Sequence, residues 1–140
     1  MDMLSATDVR KNWSVTIDSV IRNRPAYVKR THDNLAIINV TTLNSLLAGY
    51  KYNAKKYTEE DGSVTLSLVD IDIVVNDHDE VSAKKRLAEN IKEYAEEFYE
   101  EFSVWSSAPN RKSHIPYIVK ALTLNTDEIS KDIVCQNGKN

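Results

Sequence analysis

From Asp79 to about Phe102 the chain sets Leu87, Ile91, Tyr94, Ala95, Phe98 and Phe102 three and four positions apart. That spacing draws one apolar stripe along a long helix and turns the intervening glutamates to water. Asp79 stands where an N-cap belongs. A stripe of this length has to lie on a second layer, and the residues just before it can form one. SVTLSLV alternates Val64, Leu66 and Leu68 on one side, while DIDIVV places Ile71, Ile73 and Val75 on one face and Asp70 and Asp72 on the other. Period two predicts strand, as two strands or one bent strand. After the long helix, SSAPNRKS reads as a loop, and Ser113 and Pro116 suit the start of a helix carrying Ile115, Ile118, Val119 and Leu122. A last short helix is expected around Thr126 to Val134, with a frayed QNGKN end.

The first half follows another plan. Ser5 with Asp8 three residues on resembles a capping box, and Ala6, Val9, Trp13, Ile17, Val20 and Ile21 predict one amphipathic helix ending near Arg22. Arg24-Pro25 forces an extended or turned backbone; AYVKR, THDN and LAIINV then read as strand, turn, strand. Thr41 can cap a short helix holding Leu43, Leu46 and Leu47, which Gly49 stops. So small a unit needs a second copy or the rest of the chain to cover its apolar faces. KYNAKKYTEEDG lacks apolar periodicity and is expected to be a linker. The predicted class is α+β: an α-β-β-α dimerisation module over 1–50, a linker over 51–62, and a second small α+β domain with a long amphipathic helix over 63–140.

The net charge of -3 hides a division. Residues 1–57 hold nine cations against four acids, and residues 58–140 hold nine against seventeen, so the halves carry +5 and -8. Such asymmetry points to two partners of opposite preference. Arg10 and Lys11 on the first helix and Lys29 and Arg30 at the hairpin turn form a candidate DNA-binding set, doubled in a homodimer or a higher even-numbered oligomer. The single cysteine, Cys135, excludes an intrachain disulfide and fits a reducing compartment. No stretch approaches the roughly 20 apolar residues that span a bilayer, and no leader-like start is present, so a cytoplasmic protein without membrane contact is expected.

Catalytic signatures are missing. There is no Gly-rich phosphate loop, no HExxH and no CxxC, and no cofactor is implied. The polar run NDHD at 76 to 79, near Asp70 and Asp72, has oxygen ligands for a divalent cation but lacks a calcium-loop pattern; a solvated turn before a helix is the simpler reading. A metal-dependent enzyme using Asp70, Asp72 and Asp77 is the least favoured class.

LSATDVRKNWSVTIDSVIRNRPAYVKRTHDNLAIINVTTLNSLL resembles the Phd/YefM antitoxins in its serine-led start, an acidic-x-Arg step (Asp8-Val9-Arg10), an apolar position three residues on (Trp13), an arginine before the hairpin turn (Arg30) and a Leu-rich helix (Leu43 to Leu47). The resemblance covers residues 4 to about 50. It implies a dimeric module that represses its own toxin–antitoxin operon, with Arg10 and Arg30 on operator DNA; charge and proximity add Lys11 and Lys29. The second half is weakly similar to a HicB-like antitoxin domain in its strands followed by a polar turn and a long amphipathic helix. That is consistent with neutralisation of a cognate toxin, whose basic site Glu93, Glu96, Glu97, Glu100 and Glu101 would cover. A stand-alone transcriptional regulator whose second domain senses a small ligand is the alternative.

Overall fold

The structure, a computed structural model, describes residues 1–138. Two compact units divide the chain, Met1–Leu46 and Leu47–Asn140.

In the first unit the order is β1 (Leu4–Ser5), α1 (Ala6–Lys11), α2 (Trp13–Arg22), β2 (Ala26–Arg30), β3 (Asp33–Ile37) and α3 (Val40–Leu47). The sheet runs β1-β2-β3, with β1 parallel and β3 antiparallel to β2. The expected α-β-β-α module is corrected twice. A two-residue strand precedes the first helix and is too short to leave a periodic signal. The helix itself is interrupted at Asn12 (φ -116°, ψ 38°), whose amide side chain donates to the Asp8 carbonyl at 3.1 Å. Such local side-chain bonding competes with regular helix. Ser5 caps α1 by accepting from the Asp8 N–H at 3.1 Å, but α3 is led by Asn39 rather than Thr41, since Asn39 Oδ1 accepts from the Thr41 N–H at 2.9 Å.

The core of this unit is thin. Val9, Val20 and Val28 are its buried apolar side chains among the described residues, with Thr16 beside them. Trp13 and Ile21, expected within the buried stripe, are 55% and 59% exposed. The interruption at Asn12 shifts the inward face of α2 to Thr16 and Val20.

The second unit contains β4 (Tyr52–Thr58), β5 (Val64–Leu68), β6 (Val74–Asp77), α4 (Glu80–Glu100), α5 (Phe102–Trp105), a 3-10 turn (Lys112–His114), α6 (Ile115–Leu122), α7 (Thr126–Lys131) and β7 (Ile133–Asn137). Its sheet runs β6-β5-β4-β7, with β7 parallel to β4 and the other pairs antiparallel. One sheet face is covered by α4, on which α6 and α7 also pack. Leu66, Leu87, Ile91, Phe98, Ile118 and Ile129 meet there and are fully buried. Asp79 caps α4 as expected, accepting from the Ser82 N–H at 2.7 Å, and Pro116 lies in the first turn of α6.

Several expectations are corrected here. The strand read over DIDIVV begins only at Val74, and the last helix, read to Val134, ends at Lys131, with Val134 in β7. Residues 51 to 62, read as a linker, include β4, an inner strand of this sheet. Tyr52 and Ala54 face the core at 1% exposure each, so the alternation is present, but a small residue and an amphipathic one carry it. The frayed end is also overturned for residues 136 and 137, which complete β7; Lys139 and Asn140 lie outside the described residues. The pairing that creates β7 is to β4, 81 residues earlier in register (Tyr52↔Ile133), beyond the reach of local pattern.

Buried polar ties fix this arrangement. Lys120, 7% exposed, donates to the Tyr50 carbonyl at 3.0 Å and contacts the Asp132 carboxylate, which Lys51 also reaches at 2.7 Å. Lys92 donates to the carbonyls of Ala121, Leu122 and Leu124 at 3.0, 3.2 and 2.7 Å, closing the end of α6 where helix carbonyls lack partners. Tyr52 donates its hydroxyl to the Tyr117 carbonyl at 2.7 Å, and burial, followed by the charge of Asp132, pushes that phenol well above its ordinary range. Among the described residues no helix is long and apolar enough to cross a membrane. Removing the Tyr52 hydroxyl with Tyr52→Phe should cost about 1 kcal/mol in urea unfolding, the worth of one partly buried hydrogen bond, with the far-UV spectrum unchanged.

Candidate functional site

Each unit carries one candidate surface. In the first, Arg10 and Lys11 occupy the last turn of α1, where cations suit the negative end of the helix dipole. Both are exposed, as are Lys29 and Arg30 on β2. Strand alternation separates the last two. Val28 is buried on the side covered by the helices; Arg30, two residues on, projects to that same side, and Lys29 projects to the other. Because Ser5 pairs with Lys29 and α1 begins at the next residue, α1 starts level with the end of β2. Arg10 and Arg30 therefore share the helix-bearing side of the sheet, and Lys29 does not. Among the described residues none of the four enters an ion pair.

Arg30 also sits directly before a strained turn. It pairs across the hairpin with Asp33, leaving Thr31 and His32 as the two-residue loop, and Thr31 takes φ +55°. A β-branched residue rarely adopts that conformation. Threonine here occupies a left-handed position that glycine fills without steric cost.

In the second unit Glu93, Glu96, Glu97 and Glu100 lie on the last turns of α4, with Glu101 as its C-cap residue. All five are exposed and, among the described residues, none is in an ion pair. The helix has no basic residue in its last turn, while Lys84, Lys85 and Arg86 lie near its start. Asp79 and Glu80 suit the positive start of the helix, but acidic residues at its last turn, with no cation there, oppose the dipole. A shallow groove of about 340 Å³, open to solvent, borders the acidic row, lined by Asp72, Ile73 and Val74 and by Asn90, Glu93, Tyr94 and Glu97.

The NDHD run acts at the entry to α4. The His78 backbone N–H on Asp77 Oδ1 at 2.8 Å, then Arg86 Nε on Oδ2 at 3.1 Å and the His78 ring at 2.7 Å, hold the Asp77 carboxyl down to about 2. His78 Nε2 lies 3.3 Å from Ser82 Oγ and 3.1 Å from Asp79. Asp77, His78 and Ser82 thus stand in the order of a proton relay. His78 is 76% exposed, however, and Asp79 takes the Ser82 N–H, so the set lacks the dry, donor-lined site that acyl transfer requires. Among the described residues no three of the His, Cys, Asp and Glu side chains are grouped to hold a metal ion, and Asp70, Asp72 and Asp77 form no such centre.

Sequence reading missed several groups. Arg111 stacks over Trp105 at 4.1 Å, and Tyr94 Oη meets His114 Nδ1 at 2.8 Å; burial lowers the pKa of His114. A lone arginine in a loop offers no periodic signal, and these contacts join α4 to a segment up to twenty residues away.

The family model PHD_like, an antitoxin of toxin-antitoxin, RelE/RelB, TA system, matches residues 1–135. A crystal structure from Syntrophomonas wolfei subsp. wolfei, described as an antitoxin part of a proposed toxin/antitoxin system, is similar with a TM-score of 0.92 and 35% identity, over 99% of this chain and 100% of that one. No match was found among curated proteins.

The depressed Asp77 carboxyl has a pH consequence. Its ordinary value is 3.8, so its contribution to stability is whole above that pH and disappears as pH falls toward about 2. Asp77→Asn should flatten the fall in chemical-denaturation midpoint between those two pH values relative to the parent chain.

Proposed function

The chain belongs to the PHD-like antitoxin family of RelE/RelB-type toxin–antitoxin systems, and we propose that its two units divide the work of an antitoxin of the Phd/YefM kind, with a HicB-like second half. The first unit dimerises and binds operator DNA in the cytoplasm, repressing its own operon. The second neutralises the toxin by covering a basic site.

The observation that carries the second role is the row of glutamates at the negative end of α4. Glu97, Glu100 and Glu101, at the last turn and C-cap, each oppose the dipole by about 0.3–1 kcal/mol at an exposed site. None is offset by an ion pair among the described residues. A cationic partner surface would relieve both the mutual repulsion and the unfavourable dipole contact, and would be steered in by the same field.

Dimerisation is supported by the thin core. Leu4, Trp13, Val15, Ile21, Leu35 and Leu46 are all exposed in a unit that buries only three apolar side chains among the described residues. Surface of this kind on a small unit marks an interaction face. Doubling the chain also doubles the arginines on the helix-bearing side, giving a duplex at least four cationic contacts. Arg10 and Arg30 are the groups for base or phosphate contact, with Lys11 and Lys29 supplying phosphate contacts at the margin.

Two tests follow from this division. Arg10→Ala and Arg30→Ala should each weaken operator binding by about 1–3 kcal/mol if the arginine reads a base, whereas Lys11→Ala and Lys29→Ala should mainly lower the slope of log affinity against log salt, by about 0.9 for each phosphate no longer neutralised. Gel-shift titrations over a salt series separate the two behaviours, and wild-type affinity in both arginine variants refutes the DNA assignment. Glu97→Gln and Glu100→Gln should raise the free energy of unfolding by about 0.3–1 kcal/mol each while weakening toxin binding. Calorimetry on the same preparations that found tighter or equal toxin binding would contradict an acidic toxin site.

A further inference from the structure

The four-stranded sheet of the second unit ends on β6, which has β5 on one side and, among the described residues, no strand on the other. The direction of its backbone groups follows from the ladder. Leu68 N–H donates to the Ile73 carbonyl at 3.0 Å, so Leu68 and Ile73 form a hydrogen-bonded pair, and alternation makes Leu66↔Val75 and Val64↔Asp77 the next such pairs. Val74 and Asn76 lie at the intervening positions. Their N–H and C=O groups point away from β5 and have no backbone partner among the described residues. Val74 is also 63% exposed. A free edge of this kind is a template for strand addition.

The groove beside that edge selects what can enter. Its far wall is α4, with Glu93 and Glu97 one helical turn apart, and Asp72 stands on the near side. Residues four apart on a helix are separated by about 6 Å. Alternate residues of an extended strand are separated by about 6.6–6.8 Å. A strand laid against β6 therefore presents every second side chain to α4 at nearly the repeat of the two glutamates, while the side chains between them turn toward the Val74 and Asn76 face. We infer that the toxin binds by adding an extended segment to the free edge of β6, with cationic side chains at alternate positions seated on Glu93 and Glu97. This rests on the reading of the acidic half as the toxin-binding part, and specifies its geometry. Main-chain bonds to Val74 and Asn76 supply register, and the carboxylates supply the choice of a basic segment.

The test uses the full chain with the protein product of the adjacent gene as the toxin probe. Amide hydrogen exchange should slow at least tenfold at Val74 and Asn76 when the complex forms; unchanged exchange at both amides in a formed complex overturns edge pairing. Val74→Pro removes an outward N–H without breaking a bond to β5, and should weaken toxin binding at least tenfold with an unaltered far-UV spectrum. If that variant misfolds, exchange on the parent chain decides alone. Glu93→Gln combined with Glu97→Gln should weaken binding at least tenfold in low salt. Loss in the glutamate variant with Val74 and Asn76 unprotected sinks the strand addition and leaves the acidic contact standing. Silence in both variants, or no binding by the parent chain, sinks the two together.

Discussion

Burial of one face of α4 is the constraint on which the second unit depends. Leu87, Ile91, Ala95 and Phe98 are completely enclosed, against Leu66 of the sheet and Ile118 and Ile129 of the flanking helices. Each large side chain withdrawn from water contributes roughly 1.5–3 kcal/mol, so the helix cannot rotate without exposing several of them at once. The helix repeat then dictates the rest. With those positions inward, Glu93, Glu96, Glu97 and Glu100 have to face out, and the groove toward residues 72–74 acquires an acidic wall. The candidate toxin surface is the outer side of the packing that holds the unit together.

Polar ties complete what apolar burial begins. Lys92 closes the end of α6, and Lys120 with Asp132 anchors the chain immediately before β7. An enclosed ion pair of this kind contributes more to position than to net stability, because desolvation offsets much of the attraction. Here the position matters: Asp132 is held beside Tyr50 and Lys51, so Ile133 meets Tyr52 and β7 enters the sheet alongside β4. The first unit has no comparable core. Its few enclosed valines and many exposed apolar side chains are the physical reason that association dominates its expected behaviour.

Legibility followed the range of the interactions. The extent of α4, its Asp79 cap, the inward set on β5 and the place of Pro116 in the first turn of α6 all rest on residues within a turn or two of each other and stand as the pattern predicts, whereas Ser113 lies in the 3-10 turn before that helix and does not cap it. The strand at 52–58 was hidden because its inward positions are a tyrosine and an alanine between lysines and an asparagine. Trp13 and Ile21 were misassigned because their spacing is helical, while the Asn12 side chain interrupts the helix and turns the stripe. The four basic candidates were readable as charge, but strand alternation alone separates Lys29 from the side that Arg10 and Arg30 share.

By itself the sequence determined the long helix α4 with its Asp79 cap, the Ser5 cap of α1, the hairpin and the opposed charges of the two halves, since these depend on periodicity, local side-chain bonding and composition. Tertiary structure decided the rest: that β7 closes onto β4, that β6 is left with an open edge, and that the edge lies beside Glu93 and Glu97. Those outcomes depend on which distant segments share a layer, and no interaction within one stretch of chain specifies that choice.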